Sequence, residues 1–191
     1  MPQFKSRKDT SSVRKLALSA YEWVSTLIVS LLVLVVLFTF FFRIVCVDGD
    51  SMDTTLQHED QLLLMTSVSD YQRGDIVVVD RYTIEPIVKR IIAVGGDTLK
   101  IDERGFVYLN GDLLGEPYAS PYTAQKGCTD TVIIPEGYVF LMGDNRAVSL
   151  DSRSPEIGLV LEKDLVGKAI FRVSPFSSFG GIYGNMEQSV N

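Results

Sequence analysis

The 191-residue sequence predicts a mostly β protein, in which one N-terminal transmembrane helix precedes an antiparallel coiled β-barrel or sandwich domain. Two observations predict this fold class. Residues 23–42 contain no charged side chain, and the chain beyond them consists of short, β-branched runs separated by Gly, Asp and Pro. The chain is long enough for one anchor and one domain with a substantial core. We therefore expect a head at 1–22, a transmembrane helix at 23–42 and an outer domain at 43–191.

The uncharged run predicts a membrane anchor. As a helix, its 20 residues would span about 30 Å, the thickness of the hydrocarbon core of a bilayer. The residues that follow, Phe42 to Val47, lack the small side chains of a signal cleavage site, which favours an anchor that is retained. The head carries five basic and two acidic side chains, so we expect the N-terminus in the cytosol and the outer domain on the opposite side of the cell membrane.

The outer domain is predicted to consist of strands and tight turns. Asn110-Gly111 indicates a β-hairpin, because both residues accept the positive φ of a type I′ turn. We predict one short helix near 162–166 and a polar surface connection at 115–130. The end of the chain, 175–183, is interpreted either as a last packed strand or as a lipid contact. The predicted strands are 61–66, 75–81, 87–94, 98–101, 106–109, 131–134, 138–143 and 168–173.

Charge and composition exclude several classes of function. From Ile44 onward the chain has 12 basic and 22 acidic residues, so it lacks the basic surface that binds nucleic acid. Cys46 and Cys128 are far apart, and with the single histidine His58 they do not form a metal-ligand pattern. His58 lies in a polar turn, which favours a surface role over membership of a Ser-His-Asp triad.

A serine stands out at Gly49-Asp50-Ser51-Met52, shortly after the anchor. On its own, Ser51 is equally consistent with an ordinary turn serine. Lys89 lies in the apolar strand 87–94, where alternation places either Lys89 or its neighbour Arg90 against apolar side chains. A lysine can act as a general base only when it is neutral, and burial lowers its pKa by up to about 3–5 units. A lysine that snorkels or forms an ion pair is the structural alternative.

A third segment, 143–153, places carboxylates, arginines and hydroxyls in one loop after an apolar strand. Together the three segments resemble the type I signal peptidases, in the short bacterial form with a single anchor. The resemblance extends from the anchor to about Phe176. It rests on Ser51-Met52, Arg73-Gly74-Asp75, Val88-Lys89-Arg90, Gly95-Gly96-Asp97, Gly143-Asp144-Asn145 and Asp151-Ser152-Arg153.

The resemblance implies a membrane-bound serine endopeptidase that removes signal peptides from exported preproteins after small, Ala-x-Ala-like residues. It makes Ser51 the nucleophile and Lys89 the general base. Ser149 would orient the Lys89 amine, and Asp151 with Arg153 would hold the loop near the site. Met52 would contact the substrate. The family uses no metal or organic cofactor, and we expect a monomer surrounded by membrane lipid.

Two positions depart from the family pattern. Thr54 stands where the family usually has proline, and Asp53 adds an acid beside the nucleophile. After Arg153, Ser154-Pro155 replaces the usual Phe-Gly. These changes leave open a membrane-tethered binding module, or a factor dedicated to processing or assembly of surface proteins. Self-cleaving repressor-like peptidases share the Ser/Lys chemistry but lack the anchor, and a purely structural anchor protein would not need a lysine on an apolar strand face.

Overall fold

The protein is represented by a computed structural model that describes residues 7–81, 84–120 and 122–183. It contains helix α1 (Arg7–Phe41) and two short 3₁₀ helices, Glu162–Asp164 and Phe176–Ser178. The strands are β1 (Phe42–Cys46), β2 (Gln61–Met65), β3 (Ile76–Arg81), β4 (Ile84–Val94), β5 (Thr98–Ile101), β6 (Val107–Leu109), β7 (Asp112–Leu113), β8 (Val132–Ile133), β9 (Tyr138–Met142), β10 (Val160–Leu161), β11 (Leu165–Ser174) and β12 (Gly180–Gly181).

Helix α1 forms one compact unit by itself, and the chain from Phe42 onward forms the other. Its segment 14–41 is long and apolar enough to cross a membrane, and the most apolar 18-residue stretch within it has a mean hydropathy of 2.8. The hydroxyl of Thr26 donates to the carbonyl of Glu22, and that of Thr39 to Val35, so these polar groups are satisfied within the helix. The helix ends one residue earlier than predicted, because Phe42 pairs with Met65 as the first residue of β1.

The second unit contains two antiparallel sheets. The larger has the strand order β1-β2-β11-β3-β4-β9-β10, with β12 paired to β11, and the smaller has the order β7-β6-β5-β8. The prediction of a mostly β, antiparallel fold after one apolar helix is confirmed. The alternative of a closed barrel is not realised in the described residues, since each sheet path has two free ends.

The local predictions can be compared with the structure at two places. Asn110 and Gly111 have φ values of 54° and 93°, as the predicted two-residue hairpin between β6 and β7 requires. The helix predicted near 162–166 is wrong beyond its first turn. Leu165 is largely buried and pairs with Val79, so the chain enters β11 as soon as the 3₁₀ turn ends.

Strand β4 is an interior strand of the large sheet, between β3 and β9, and its residues from Val88 to Ala93 are all buried. A register irregularity against β9 lies between Ile91 and Ala93. Ala93 therefore packs in the same apolar cluster as Ile92, and not with Lys89 and Ile91 as strict alternation predicts. The adjacent cations Lys89 and Arg90 are both buried, so each of them needs its own hydrogen-bond partners in the interior.

The connection from β7 to β8 lies mainly at the surface, as predicted, but two of its groups are hydrogen-bonded to buried arginines. We call residues 116–126 the strap. Thr123 within it is buried, and its hydroxyl accepts a hydrogen bond from Arg146 in the loop after β9. The Ala124 carbonyl accepts another from Arg153. The Thr123 hydroxyl and the Ala124 carbonyl of this polar segment are thus hydrogen-bond partners of buried arginines.

Candidate active site

Ser51 lies in a tight turn that follows β1. The turn is closed by backbone hydrogen bonds from Asp53 to Asp50 and from Leu56 to Met52. The side chains of Met52 and Leu56 are fully buried in the apolar cluster of the large sheet, while Ser51 itself is partly exposed. The burial of its neighbours fixes the turn to the core, so that the Ser51 hydroxyl is held at the surface of the domain.

Lys89 meets Ser51 from the middle of β4. Its Nζ lies 2.7 Å from Ser51 Oγ and donates to the Val88 carbonyl at 2.9 Å. The Ser51 contact can run in either direction, because a neutral amine can accept the serine proton. Only 3% of the Lys89 surface is exposed. An apolar strand in the sheet interior thus brings an amine to hydrogen-bonding distance of a partly exposed hydroxyl.

Burial lowers the pKa of the Lys89 amine from 10.5 to about 8, and the carboxylates of Asp151 and Asp144 limit that decrease. The cause is desolvation, which penalises the ammonium form. With this pKa, about a tenth of the amine is neutral at pH 7, compared with about 0.04% for a solvated lysine. The environment of Lys89 therefore produces an amine that can accept a proton.

The loop after β9 packs directly against the Ser51 turn. The backbone N–H of Asn145 donates to the Ser51 carbonyl at 3.1 Å. Gly143 approaches so closely that an added Cβ would lie 2.4 Å from that carbonyl oxygen and 2.3 Å from Ser149 Oγ. Only glycine fits at this position. The loop and the turn are thus in direct backbone contact around Ser51.

Asp151 and Arg153 form a fully buried, bidentate ion pair in this loop. Arg153 Nε and Nη2 lie 2.8 and 2.7 Å from the two carboxylate oxygens, and the Gly143 N–H donates to one of them at 3.1 Å. Burial alone would raise the pKa of Asp151, but the hydrogen bonds and charge of Arg153 hold it below its ordinary value. Asp151 is therefore ionised at neutral pH, and its charge also acts on the nearby Lys89 amine.

Ser149 is buried between these groups, and the hydrogen bond to Lys89 that the family resemblance implies is not formed. Within the described residues its hydroxyl makes no hydrogen bond of normal geometry, although it lies close enough to the Asp151 carboxylate to help lower the pKa of that group. Met52, predicted to contact the substrate, has no exposed surface and packs beneath the turn. The structure thus brings Ser51, Lys89, Gly143 and the Asp151–Arg153 pair together, while Ser149 and Met52 lie next to the site without the expected contacts.

A second buried ion pair was not predicted from the sequence. Arg90 binds both carboxylate oxygens of Asp144, at 2.8 and 2.6 Å, and neither side chain is exposed. The Thr55 hydroxyl donates to the same carboxylate at 2.5 Å, which links the Ser51 turn to the pair. Strand alternation contained a signal for it, since a buried Arg90 requires a carboxylate partner and Asp144 follows the next apolar strand.

His58 lies on the surface, as its polar turn predicts. Its Nδ1 accepts a hydrogen bond from the Gly49 N–H at 3.1 Å and lies 3.4 Å from a carboxylate oxygen of Asp48. The ring thus supports the backbone ahead of Ser51. In the described part of the chain, no cluster of three His, Cys, Asp or Glu side chains is arranged to hold a metal ion.

Comparisons with known proteins place this arrangement in context. The model of the family described as "Signal peptidase, peptidase S26" matches residues 20–174. Signal peptidase I of Bacillus licheniformis is 34% identical over 171 residues, which cover 83% of this chain and 91% of the relative. Signal peptidase I S of Bacillus subtilis is 33% identical over 171 residues, with the same coverage of both chains.

Two further proteins extend the comparison beyond Bacillus. Signal peptidase IB of Staphylococcus aureus is 30% identical over 178 residues, which cover 83% of this chain and 91% of the relative. A crystal structure of a signal peptidase I from Enterococcus faecalis V583 is 30% identical in sequence, with a TM-score of 0.45. That match covers 53% of this chain and 98% of the solved chain.

Proposed function

The chain belongs to the signal peptidase family, peptidase S26, and on that premise we propose that it cleaves signal peptides with Ser51 as nucleophile and Lys89 as general base. As a signal peptidase I, it is a serine endopeptidase that removes signal peptides. The observation that supports the residue assignment is the 2.7 Å distance between Lys89 Nζ and Ser51 Oγ, with the amine buried in an apolar sheet.

Acylation follows from this geometry. The neutral Lys89 amine takes the Ser51 proton while Oγ attacks the scissile carbonyl carbon, and the C–N bond then breaks as Lys89 returns the proton to the leaving amine. The backbone N–H of Ser51 is not used by the hydrogen bonds that close the turn and serves the developing oxyanion. Gly49 has no side chain that could act as a second donor.

Deacylation uses the same amine in the opposite sense. Lys89, neutral again after the signal-peptide ester has formed, takes a proton from water while the water oxygen attacks the ester carbonyl. It then returns the proton to Ser51 Oγ as the C–O bond breaks. Asp151 with Arg153 positions the loop, and we assign Ser149, which is buried beside the site, the role of orienting the amine. Met52 shapes the site from beneath by packing.

Substrate and setting follow from the family and from the apolar helix. The substrates are exported preproteins, which bind as an extended strand with small residues at positions −1 and −3. The apolar helix is consistent with a membrane-anchored protein. We propose that its basic head lies in the cytosol, and that a monomeric domain works on the other side of the membrane beside lipid.

Cleavage of a preprotein with an Ala-x-Ala signal, by the full chain in detergent, tests the proposed substrate class. We expect one cut after the second Ala, identified by mass spectrometry of the mature N-terminus. Replacing that Ala by Leu in the substrate should lower kcat/KM by roughly 100-fold, because a tight subsite excludes the larger side chain. Equal cleavage of both substrates, or no cleavage of any preprotein from its own host, would support the dedicated-factor or binding-module alternative.

The pH dependence of cleavage tests the role of Lys89. Since the base acts when deprotonated and its pKa is about 8, kcat/KM should rise about tenfold per pH unit below pH 8 and become level above it. His58→Ala should leave the midpoint unchanged, because His58 is on the surface. A pH profile whose midpoint changes in His58→Ala would transfer the role of base to the histidine.

A further inference from the structure

Thr54, three residues after Ser51, has a backbone conformation that is rare for its residue type. Its φ of 85° lies in the left-handed region, where a β-branched side chain is unfavourable. Such a conformation is strained and persists only where surrounding contacts enforce it. The family pattern usually has proline here, and the ring of proline fixes φ near −65°. The Ser51 turn of this chain therefore has a shape that proline cannot adopt.

Contacts on both sides of Thr54 hold this conformation. Its backbone N–H donates to the carboxylate of Asp53 at 2.8 Å, a hydrogen bond that a proline at this position could not make. Its hydroxyl donates to the Tyr118 carbonyl in the strap at 2.9 Å. The next residue, Thr55, is fixed through its hydroxyl to Asp144 and through its carbonyl, which accepts a hydrogen bond from Arg172.

The strap is itself attached to the buried ion pair next to the site. The Tyr118 ring lies over the Arg90 guanidinium, with 4.0 Å between the ring centroid and Cζ, and the neighbouring Ser120 N–H donates to the Asp144 carbonyl at 3.0 Å. The Tyr118 carbonyl is thus held in a defined place relative to β4, the strand that carries Lys89. Through Thr54, the strap defines the position of the Ser51 turn relative to the same strand.

We propose that the hydrogen bond from Thr54 to the Tyr118 carbonyl positions Ser51 Oγ against the Lys89 amine, so that the strap is part of the catalytic apparatus. This inference rests on the proposed Ser51–Lys89 mechanism. Thr54 and Tyr118 are positioning residues and do not touch the reacting atoms. The hydrogen bond from Thr54 to Tyr118 restrains the turn, as the ring of proline would, but it does so in a different backbone conformation.

Three substitutions of Thr54 in the full chain separate the hydroxyl from the backbone. Thr54→Val keeps the shape and loses the hydroxyl, and kcat should fall about fivefold with KM changed less than twofold. Thr54→Ser keeps the hydroxyl and should retain nearly full kcat. Thr54→Pro, which restores the residue usual in the family, should lower kcat about 100-fold because the turn must rearrange. Thr129→Val, at an exposed threonine outside the strap, is the matched control and should leave kcat unchanged.

The readouts are kcat and KM for signal-peptide cleavage, together with the midpoint of thermal unfolding for each variant. A loss of kcat in Thr54→Val at an unchanged midpoint, recovered in Thr54→Ser, supports the inference. Full kcat in Thr54→Val, or higher activity in Thr54→Pro, would overturn it. If Ser51→Ala were still active in the same assay, the proposed mechanism would fail first. If Ser51→Ala is inactive and Thr54→Val fully active, only the positioning role fails.

Discussion

Lys89→Met is expected to lower the rate of signal-peptide cleavage by roughly 10⁴-fold while leaving the domain folded and more stable than before. The rate falls because Ser51 loses the base that accepts its proton. Stability should rise because burying the amine, with a pKa of about 8 against 10.5 when solvated, costs about 3 kcal/mol. Methionine has a similar length and no charge, so unfolding midpoints at pH 7 should increase by about 6–12 °C.

The size of the stability gain depends on pH. The pKa in the folded state lies below the solvated value, so the cost of burial is complete below about pH 8 and declines between pH 8 and 10.5. The gain in Lys89→Met should decline over the same range. Ser51→Ala is the comparison variant, which should lose cleavage equally without gaining stability. More than a tenth of native activity in Lys89→Met would remove Lys89 from the mechanism.

Asp144→Ala is expected to lower the free energy of unfolding by about 3–5 kcal/mol, the largest stability loss among the variants considered. The substitution removes the carboxylate that compensates the fully buried Arg90, and a guanidinium without its counterion is costly in the interior. It also removes the acceptor of the Thr55 hydroxyl. In a domain of this size the unfolding midpoint should fall by about 10 °C or more, measured by circular dichroism.

A half-exposed arginine and a double variant serve as controls. Arg73 pairs with the buried Asp97, but its own side chain is half exposed. Asp97 keeps hydrogen bonds from the Val94 N–H and the Asn110 amide, so Arg73→Ala should cost about 1 kcal/mol. Replacing both buried partners, as Arg90→Met with Asp144→Leu, should recover most of the stability lost in Asp144→Ala. If the double variant is no more stable than Asp144→Ala, lost packing and not the unpaired charge is responsible.

The sequence was sufficient to predict those features of the fold that depend on local pattern. The apolar run 23–42 and the Asn110-Gly111 pair each carry a local signal. In the structure the run is helical up to Phe41, and the pair forms the hairpin turn between β6 and β7. Strand β1 was missed because Phe42–Cys46 continues the apolar composition of the anchor, with no turn residue between them. Its pairing with β2 is a non-local property that composition does not contain.

At the site, the sequence could indicate residue types but not their partners. A lysine on an apolar strand can be recognised from alternation, and the family resemblance supplied Ser51 as its counterpart. Alternation indicates that a buried Arg90 needs a carboxylate, but neither source establishes that both oxygens of Asp144 bind it. Nor does either source show that Ser149 lies beside the site without a hydrogen bond to Lys89. These contacts depend on how the loop after β9 folds over the Ser51 turn, which involves segments nearly a hundred residues apart.

The course of the strap bears on modularity. The strap is the middle of the connection that leaves the small sheet after β7 and returns to it at β8. It supplies hydrogen-bond acceptors to Arg146 and Arg153, and the Tyr118 carbonyl to Thr54. Deleting the small sheet together with this connection would therefore remove hydrogen-bond partners from the loop after β9 and from the Ser51 turn. An engineer who seeks a minimal domain would have to keep it or rebuild three anchoring points, and insertions are better accommodated at the tip of the β6–β7 hairpin.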